Sequence, residues 1–201
     1  YTLLHLDHIP AIDEDQKNVD FLPLLKRALE AGYQSVMIDG SRLPLAQNIA
    51  VTQQAAELAA KYGSAVEAEL GAVAGHEGAG IGLSYEELFT SKKGFTKTEE
   101  AAQFARESGC DWLSVAAGSF HGAIAAATKH LKKPEARLDI AHIAELSAAT
   151  GHMPLVLHGG SGIKQEYILR AMENGIAKIN VATEIRQPYE FALEEKPGNI
   201  T

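Results

Sequence analysis

SVMIDGSRLPLAQNIAVTQQAAELAAKYGSAVEAEL, residues 35–70, decides the fold. It opens on the apolar run Val36-Met37-Ile38 and closes that run with an acid, Asp39, as a short buried strand does. Pro44 then suits the first turn of a helix running towards Lys61. Gly63 stops the helix, and residues 65–70 read as another strand. Strand, helix and strand in close succession make a βαβ unit, whose two strands lie parallel.

The same rhythm extends both ways. Upstream, residues 2–7 read as a strand and 19–31 as a helix, with Leu22, Leu25 and Leu29 at helical spacing and Gly32 as its stop. Downstream, the glycine-dense stretch 71–82 reads as a long mobile loop. Helices are expected over 98–108, 139–149, 164–174 and 184–194, with Asp139 capping the second. Strands are expected over 112–116, 155–158 and 177–181.

Six strand–helix units predict an α/β protein with a parallel sheet, either doubly wound or a (β/α)8 barrel. A barrel normally takes about 250 residues, so 201 residues fall short by two units. Polar residues sit at the carboxyl end of nearly every strand: Asp7 and His8, Asp39, Glu69, His121, His158, and Asn180 with Thr183. In a barrel those ends converge on one mouth, whereas an open sheet strings them along an edge. The expectation is therefore a TIM barrel lacking its first two strands and part of its C-terminal tail. Residues 1–201 form a single, partial catalytic domain in this reading. The chain opens at Tyr1 without an initiating Met, so preceding residues are expected.

Composition removes other classes. Hydrophobic residues make up 46%, enough for a core, and 26 acids against 18 bases give a formal charge of −8. That balance, with no long basic run, argues against nucleic-acid binding. The apolar runs are strand-sized, so no membrane span is expected. Cys110 is the only cysteine. It excludes an internal disulfide and a paired-cysteine zinc site, and it suits a reducing, cytoplasmic location.

Three imidazoles, His8, His121 and His158, each follow a strand. Converging at one mouth, they suit zinc or a similar divalent ion with an open position for substrate; the alternative is local capping at each strand. Asp7, beside His8, is placed either to move protons or to orient an imidazole. Asp39 is a further acid of the mouth or a turn residue before Gly40. Glu67 and Glu69, two apart on a strand, share a face. Buried carboxylates need cations, supplied here by the histidine cluster or by Lys178.

His158-Gly159-Gly160-Ser161-Gly162 before a helix, and the adjacent loop Asn180, Val181, Ala182 and Thr183, look like anion cradles. Glu77, inside the glycine-rich loop, is either a solvated acid or a proton carrier on a lid. His5 lies within the first strand, and His130, His142 and His152 read as surface or structural residues.

These strings together resemble the class II, metal-dependent fructose-bisphosphate and tagatose-bisphosphate aldolases. The resemblance rests on His5-Leu6-Asp7-His8, Ser35-Val36-Met37-Ile38-Asp39-Gly40-Ser41, Val66-Glu67-Ala68-Glu69-Leu70-Gly71, Leu157-His158-Gly159-Gly160-Ser161-Gly162 and Lys178-Ile179-Asn180-Val181. They occur in family order over nearly the whole chain.

The resemblance implies one catalytic Zn2+ on His8, His121 and His158, with Asp39 and Glu69 as acids lining the metal or an alternative position. It implies Asp7 as the proton shuttle of the aldehyde half and Glu77 as the lid acid for the carbon-bound proton. Asn180 then approaches the ketose oxygen. Gly122, Gly159, Gly160, Ser161, Asn180, Val181, Ala182 and Thr183 then bind substrate and its phosphate, with a monovalent cation such as Na+ or K+ nearby. A small phosphorylated sugar is the implied substrate, and a homodimer or larger homo-oligomer the implied assembly. The alternatives are an inactive sugar-phosphate sensor of the same fold, or an aldolase for another phosphorylated ketose.

Three features depart from the family pattern. His121-Gly122 is followed by no lysine until Lys129; a second phosphate is then anchored by Lys129, Lys132 or Lys133 or by a basic residue from a missing tail or a partner subunit, the alternative being that these lysines simply face solvent. Arg42 stands where relatives commonly carry His, and the acidic stretch 9–18 is longer than usual.

Overall fold

Six strands alternate with helices in chain order in the computed structural model, which describes residues 2–71, 85–119 and 137–195. β1 (His5–Pro10) leads to α1 (Phe21–Glu30), β2 (Ser35–Asp39), α2 (Leu45–Ala60) and β3 (Ala65–Leu70). α3 (Tyr85–Ser91) and α4 (Thr98–Glu107) precede β4 (Trp112–Val115) and α5 (Ile140–Ala149). β5 (Leu155–Leu157), α6 (Gln165–Glu173), β6 (Ile176–Ile179) and α7 (Thr183–Glu195) follow. The strands pair in parallel in the order β1-β2-β3-β4-β5-β6, as repeated strand–helix crossovers require.

The pairing register separates two faces. Val36 pairs with Val66, and Ile38 with Ala68, then Leu113 and Leu155. This apolar row is fully buried with Leu25, Phe104, Ile143 and Leu146 of the helices and forms the main core. Side chains alternate along a strand, so the other face carries the intervening residues. There Met37 pairs with Glu67 and then Trp112, and Glu69 with Ser114, Val156 and Lys178. One face is hydrocarbon and the other carries charge.

The charged face is concave. Edge strands of a flat six-stranded sheet lie five spacings apart, roughly 24 Å. Here the side chain of Asn180, just beyond β6, reaches Asp7 on β1 at 3.1 Å. Lys178 on β6 likewise bonds Glu67 on β3. Strand twist has curled the sheet until its two ends share side-chain contacts.

Most predicted elements stand within one or two residues, and the Asp139 carboxylate accepts from the His142 amide at 3.0 Å as a helix cap. β1 differs: it runs from His5 to Pro10, later than the expected 2–7, because its partner β2 starts at Ser35. Leu3 and Leu4 before it are exposed. α3 is not among the expected helices. Seven residues are too few for a stable isolated helix. It is held by the Tyr85 hydroxyl, which bonds the backbone of Gly118 and Arg137, and by Phe89 against Phe95 and the Arg137 guanidinium. Of the expected loop 71–82, all but Gly71 lies outside the described residues. Among the described residues no helix is long and apolar enough to cross a membrane.

Candidate active site

The site begins with an irregularity in β1. Strict alternation would put Asp7 and His8 on opposite faces. Instead Leu6 pairs with Val36 and Ile9 with Ile38, so β1 has one extra residue, a bulge. His8 takes φ +42°, a left-handed conformation unfavourable for a residue with a Cβ. The bulge brings the His8 ring to the concave face beside Asp7.

There His8 Nε2 meets His158 Nδ1 at 2.8 Å, with the rings nearly perpendicular. Each ring is held from behind by a carboxylate. His158 Nε2 lies 2.8 Å from Glu67 Oε1, and His8 Nδ1 lies 3.2 Å from Asp39 Oδ2 and 3.8 Å from Glu69 Oε2. Asp39 is fixed in turn by the Ser41 amide and hydroxyl. A carboxylate behind each imidazole, with its other nitrogen directed inward, is the arrangement that orients metal-ligating histidines.

Glu67 performs both tasks considered for it. It is fully buried, and it accepts from His158 through one oxygen and from the Lys178 ammonium through the other. Burial favours its neutral form, but the His158 bond and the Lys178 bond and charge outweigh that and hold its carboxyl below the usual range.

Asp7 completes the cluster. Asn180 Nδ2 donates to both its oxygens, at 3.1 and 3.2 Å, and lies 3.2 Å from His158 Nε2. Burial raises the Asp7 pKa, but His5 beside it and the charges of His8, His158 and Lys178 bring it well below the ordinary value. Burial likewise opposes ionisation of Asp39, and its bonds to His8 and Ser41 pull it down to about 2. For His8, desolvation favours the neutral ring, but Asp39, Asp7 and Glu67 raise its pKa. Several negative groups thus face a few basic nitrogens, a field that favours a bound cation.

A ligand nitrogen or oxygen from each of Asp7, His8 and His158 lies within 4.8 Å of the others, and the same holds for His8, Asp39 and Glu69. Two inward imidazole nitrogens plus carboxylates fit a zinc-type ion. The glycine-rich cradle also has anion chemistry. The Gly162 amide donates to the Glu184 carboxylate at 2.9 Å, and the Ser161 hydroxyl accepts from the Glu184 amide at 3.4 Å, at the start of α7. The Gly160 amide is committed to the Asn180 carbonyl, at 2.9 Å, joining the two loops. Val181 and Ala182 are exposed, and Thr183 and Gly159 are half-buried.

A cavity of about 340 Å3 opens beside His8 and Asp39, walled by acids 13–15 and by Arg42. Arg42 Nη1 donates to the carbonyls of Ile12 and Asp13.

The expected residues Asp7, His8, Asp39, Glu69, His158 and Asn180 therefore come together. Glu77, His121, Gly122, Lys129, Lys132 and Lys133 lie outside the described residues. Sequence reading missed His5 and Ser35, which bond through Nδ1 and Oγ at 2.8 Å behind Asp7. The signal was available: His5 is two residues from Asp7 and shares its face.

The family model for "Fructose-bisphosphate aldolase class-II" matches residues 1–200. The YdjI aldolase from Escherichia coli is similar at 29% identity and a TM-score of 0.72, over 98% of this chain and 60% of that one. A provisionally assigned fructose-1,6-biphosphate aldolase from Coccidioides immitis is similar at 28% identity and a TM-score of 0.72, over 99% of this chain and 62% of that one. The fold also matches a fructose-bisphosphate aldolase from Campylobacter jejuni at 21% identity and a TM-score of 0.66, over 96% of this chain and 54% of that one. The chain thus spans about 60% of the length of the first of these structures.

Proposed function

The chain belongs to the class II fructose-bisphosphate aldolase family, and from that membership we propose that it carries the metal centre of a zinc-dependent ketose-bisphosphate aldolase. The reaction is reversible cleavage of fructose 1,6-bisphosphate, or a close epimer, to dihydroxyacetone phosphate and glyceraldehyde 3-phosphate. The observation that carries this reading is the His8 Nε2–His158 Nδ1 pair, backed by Asp39 and Glu67, with Asp7 within reach. His121 is the third ligand in this reading, and Asp39 and Glu69 line the ion's surroundings.

A divalent ion held there supplies Lewis-acid polarisation of the substrate carbonyl. The chain's own groups do the rest. Asp7, kept ionised by its surroundings, takes the proton from the hydroxyl of the aldehyde half during cleavage and returns it during condensation. Asn180 orients the Asp7 carboxylate and offers its amide to the ketose oxygen. Gly159 and Ser161 of the cradle, which the Gly160 amide ties to the neighbouring loop, and the loop of Val181, Ala182 and Thr183 grip one phosphate through amides and hydroxyls, with a monovalent cation beside it. Glu77 exchanges the carbon-bound proton, and Gly122 contributes to substrate binding.

The sheet's curl supports a TIM barrel, and residues 1–201 then form most of one catalytic domain. Self-association into a dimer or larger and a cytoplasmic location complete the proposal.

The test is release of dihydroxyacetone phosphate from fructose, tagatose and sorbose bisphosphates by the full-length protein. Cleavage of one epimer, lost on chelation and restored by Zn2+, is expected. Chelator-insensitive cleavage, or zinc binding with no cleavage of any of the three, would overturn it. Asp7→Asn should retain zinc and lose turnover on the order of 100-fold.

A further inference from the structure

Among the described residues, His5 is the imidazole on the concave strands that the metal reading leaves without a task. Ser35 Oγ holds its Nδ1 at 2.8 Å, and the ring lies 6.0 Å from that of Trp112. Its Nε2 is buried and has no hydrogen-bond partner. That nitrogen faces two carboxylates almost equally, Asp7 Oδ1 at 3.6 Å and Glu67 Oε2 at 3.5 Å. Both distances exceed a hydrogen bond. A carboxylate only accepts, so a lone pair on Nε2 would repel both neighbours; Nε2 carries the proton, and the Ser35 hydroxyl donates to Nδ1. A buried donor without a partner is costly and calls for a physical reason.

We infer that His5 is a positioning residue for the reaction: its Nε2–H, aimed by Ser35, holds the Asp7 carboxylate in place when Asn180 turns its amide to substrate. Asn180 Nδ2 donates to both Asp7 oxygens, so Asp7 needs a second anchor once that amide is engaged by substrate. A shift of about half an ångström brings Asp7 Oδ1 into bonding range of Nε2–H. Glu67 is fixed by His158 at one oxygen and the Lys178 ammonium at the other, so of the two carboxylates it is Asp7 that can move towards Nε2–H. The same three residues, His5, Asp7 and Glu67, could be read as an ion site, but Lys178 already supplies the cation at Glu67 and would repel another.

The inference rests on the aldolase reading for the task of Asp7 and on geometry for the place of His5. It is tested with two polar variants. The side-chain amide of Gln reaches the place of Nε2, whereas that of Asn reaches only the place of Nδ1. His5→Gln should keep kcat within about fivefold of wild type. His5→Asn should lose kcat on the order of 10- to 100-fold, as for a lost bond to a charged group. In both, KM, zinc content and solvent-proton exchange into dihydroxyacetone phosphate should stay near wild type, because His5 neither binds the metal nor serves the carbon-bound proton. Equal kcat in the two variants, or parallel loss of zinc and exchange, overturns the inference and leaves the aldolase reading standing. A wild-type protein that binds zinc and cleaves no ketose bisphosphate overturns both.

Discussion

Replacing Glu67 with Gln keeps the side chain's shape and removes one buried charge. Glu67 is fully buried; His158 Nε2 sits 2.8 Å from one oxygen and Lys178 Nζ 2.5 Å from the other. Gln has one acceptor for these two donors, so its amide nitrogen faces a donor whichever way it turns. Breaking a buried pair by removing one partner costs about 3–5 kcal/mol. The Lys178 side chain keeps 27% of its exposure, and water recovers part of its charge, so about 2–3 kcal/mol is expected here. With a urea slope of about 2 kcal/mol/M, the midpoint should fall by about 1–1.5 M.

The pH dependence has a definite sign. The carboxyl is depressed in the folded state, so its stabilisation is complete above the ordinary value of 4.5 and is lost as pH falls through the folded value. The gap between wild type and Glu67→Gln should persist at neutral pH and close in acid. Zinc affinity should also fall about 10- to 100-fold, since His158 then faces an amide in place of its orienting carboxylate. A midpoint change at pH 7 equivalent to under about 0.5 kcal/mol, the usual range for harmless surface changes, would refute this reasoning.

Gly160→Ala would place a Cβ 2.5 Å from Ile179 Cγ2 and 2.9 Å from the Asn180 carbonyl oxygen. A loss of about 1–3 kcal/mol in urea unfolding is expected, together with weaker inorganic phosphate binding by calorimetry. Asp139→Ala should cost about 1 kcal/mol through loss of the α5 cap. Burial raises the Asp139 pKa, but Lys92 and the His142 amide bring it below 3.8. The cap's contribution is therefore present above that value and lost below it, as urea midpoints at pH 7 and pH 3 would show. Cys110, its thiol pushed up to about 11 chiefly by burial, should resist alkylation in the native protein at pH 7.5 and react freely in urea, read by mass spectrometry.

Several features were readable because local chemistry dictates them. The apolar run ending at Asp39, the Gly63 stop and the Asp139 cap each follow from residue type and spacing. The shared face of Glu67 and Glu69 also followed from strand alternation. His8 did not, since alternation directs it away from Asp7, and only the bulge and its φ of +42° return it. That conformation is imposed by pairing with β2, which no local pattern in 5–10 encodes. His5 reads as an ordinary strand residue in the sequence, although it shares the parity of Asp7. Its role depends on Ser35, 30 residues away. The sequence offers Glu67 either histidine or lysine as its partner, and the curl of the sheet brings both to it. α3 exists through Tyr85 and Phe89 contacts with distant residues, so its own seven residues could not announce it.

An anomalous difference map at the zinc edge, from crystals of the zinc-loaded full-length protein, tests the metal centre most directly. The expected result is one strong peak about 2.1 Å from both His8 Nε2 and His158 Nδ1, with Glu67 and Asp39 still bonded to the opposite ring nitrogens. Zinc bound elsewhere, or these two rings turned away from it, would contradict the assignment of the concave face as the catalytic site.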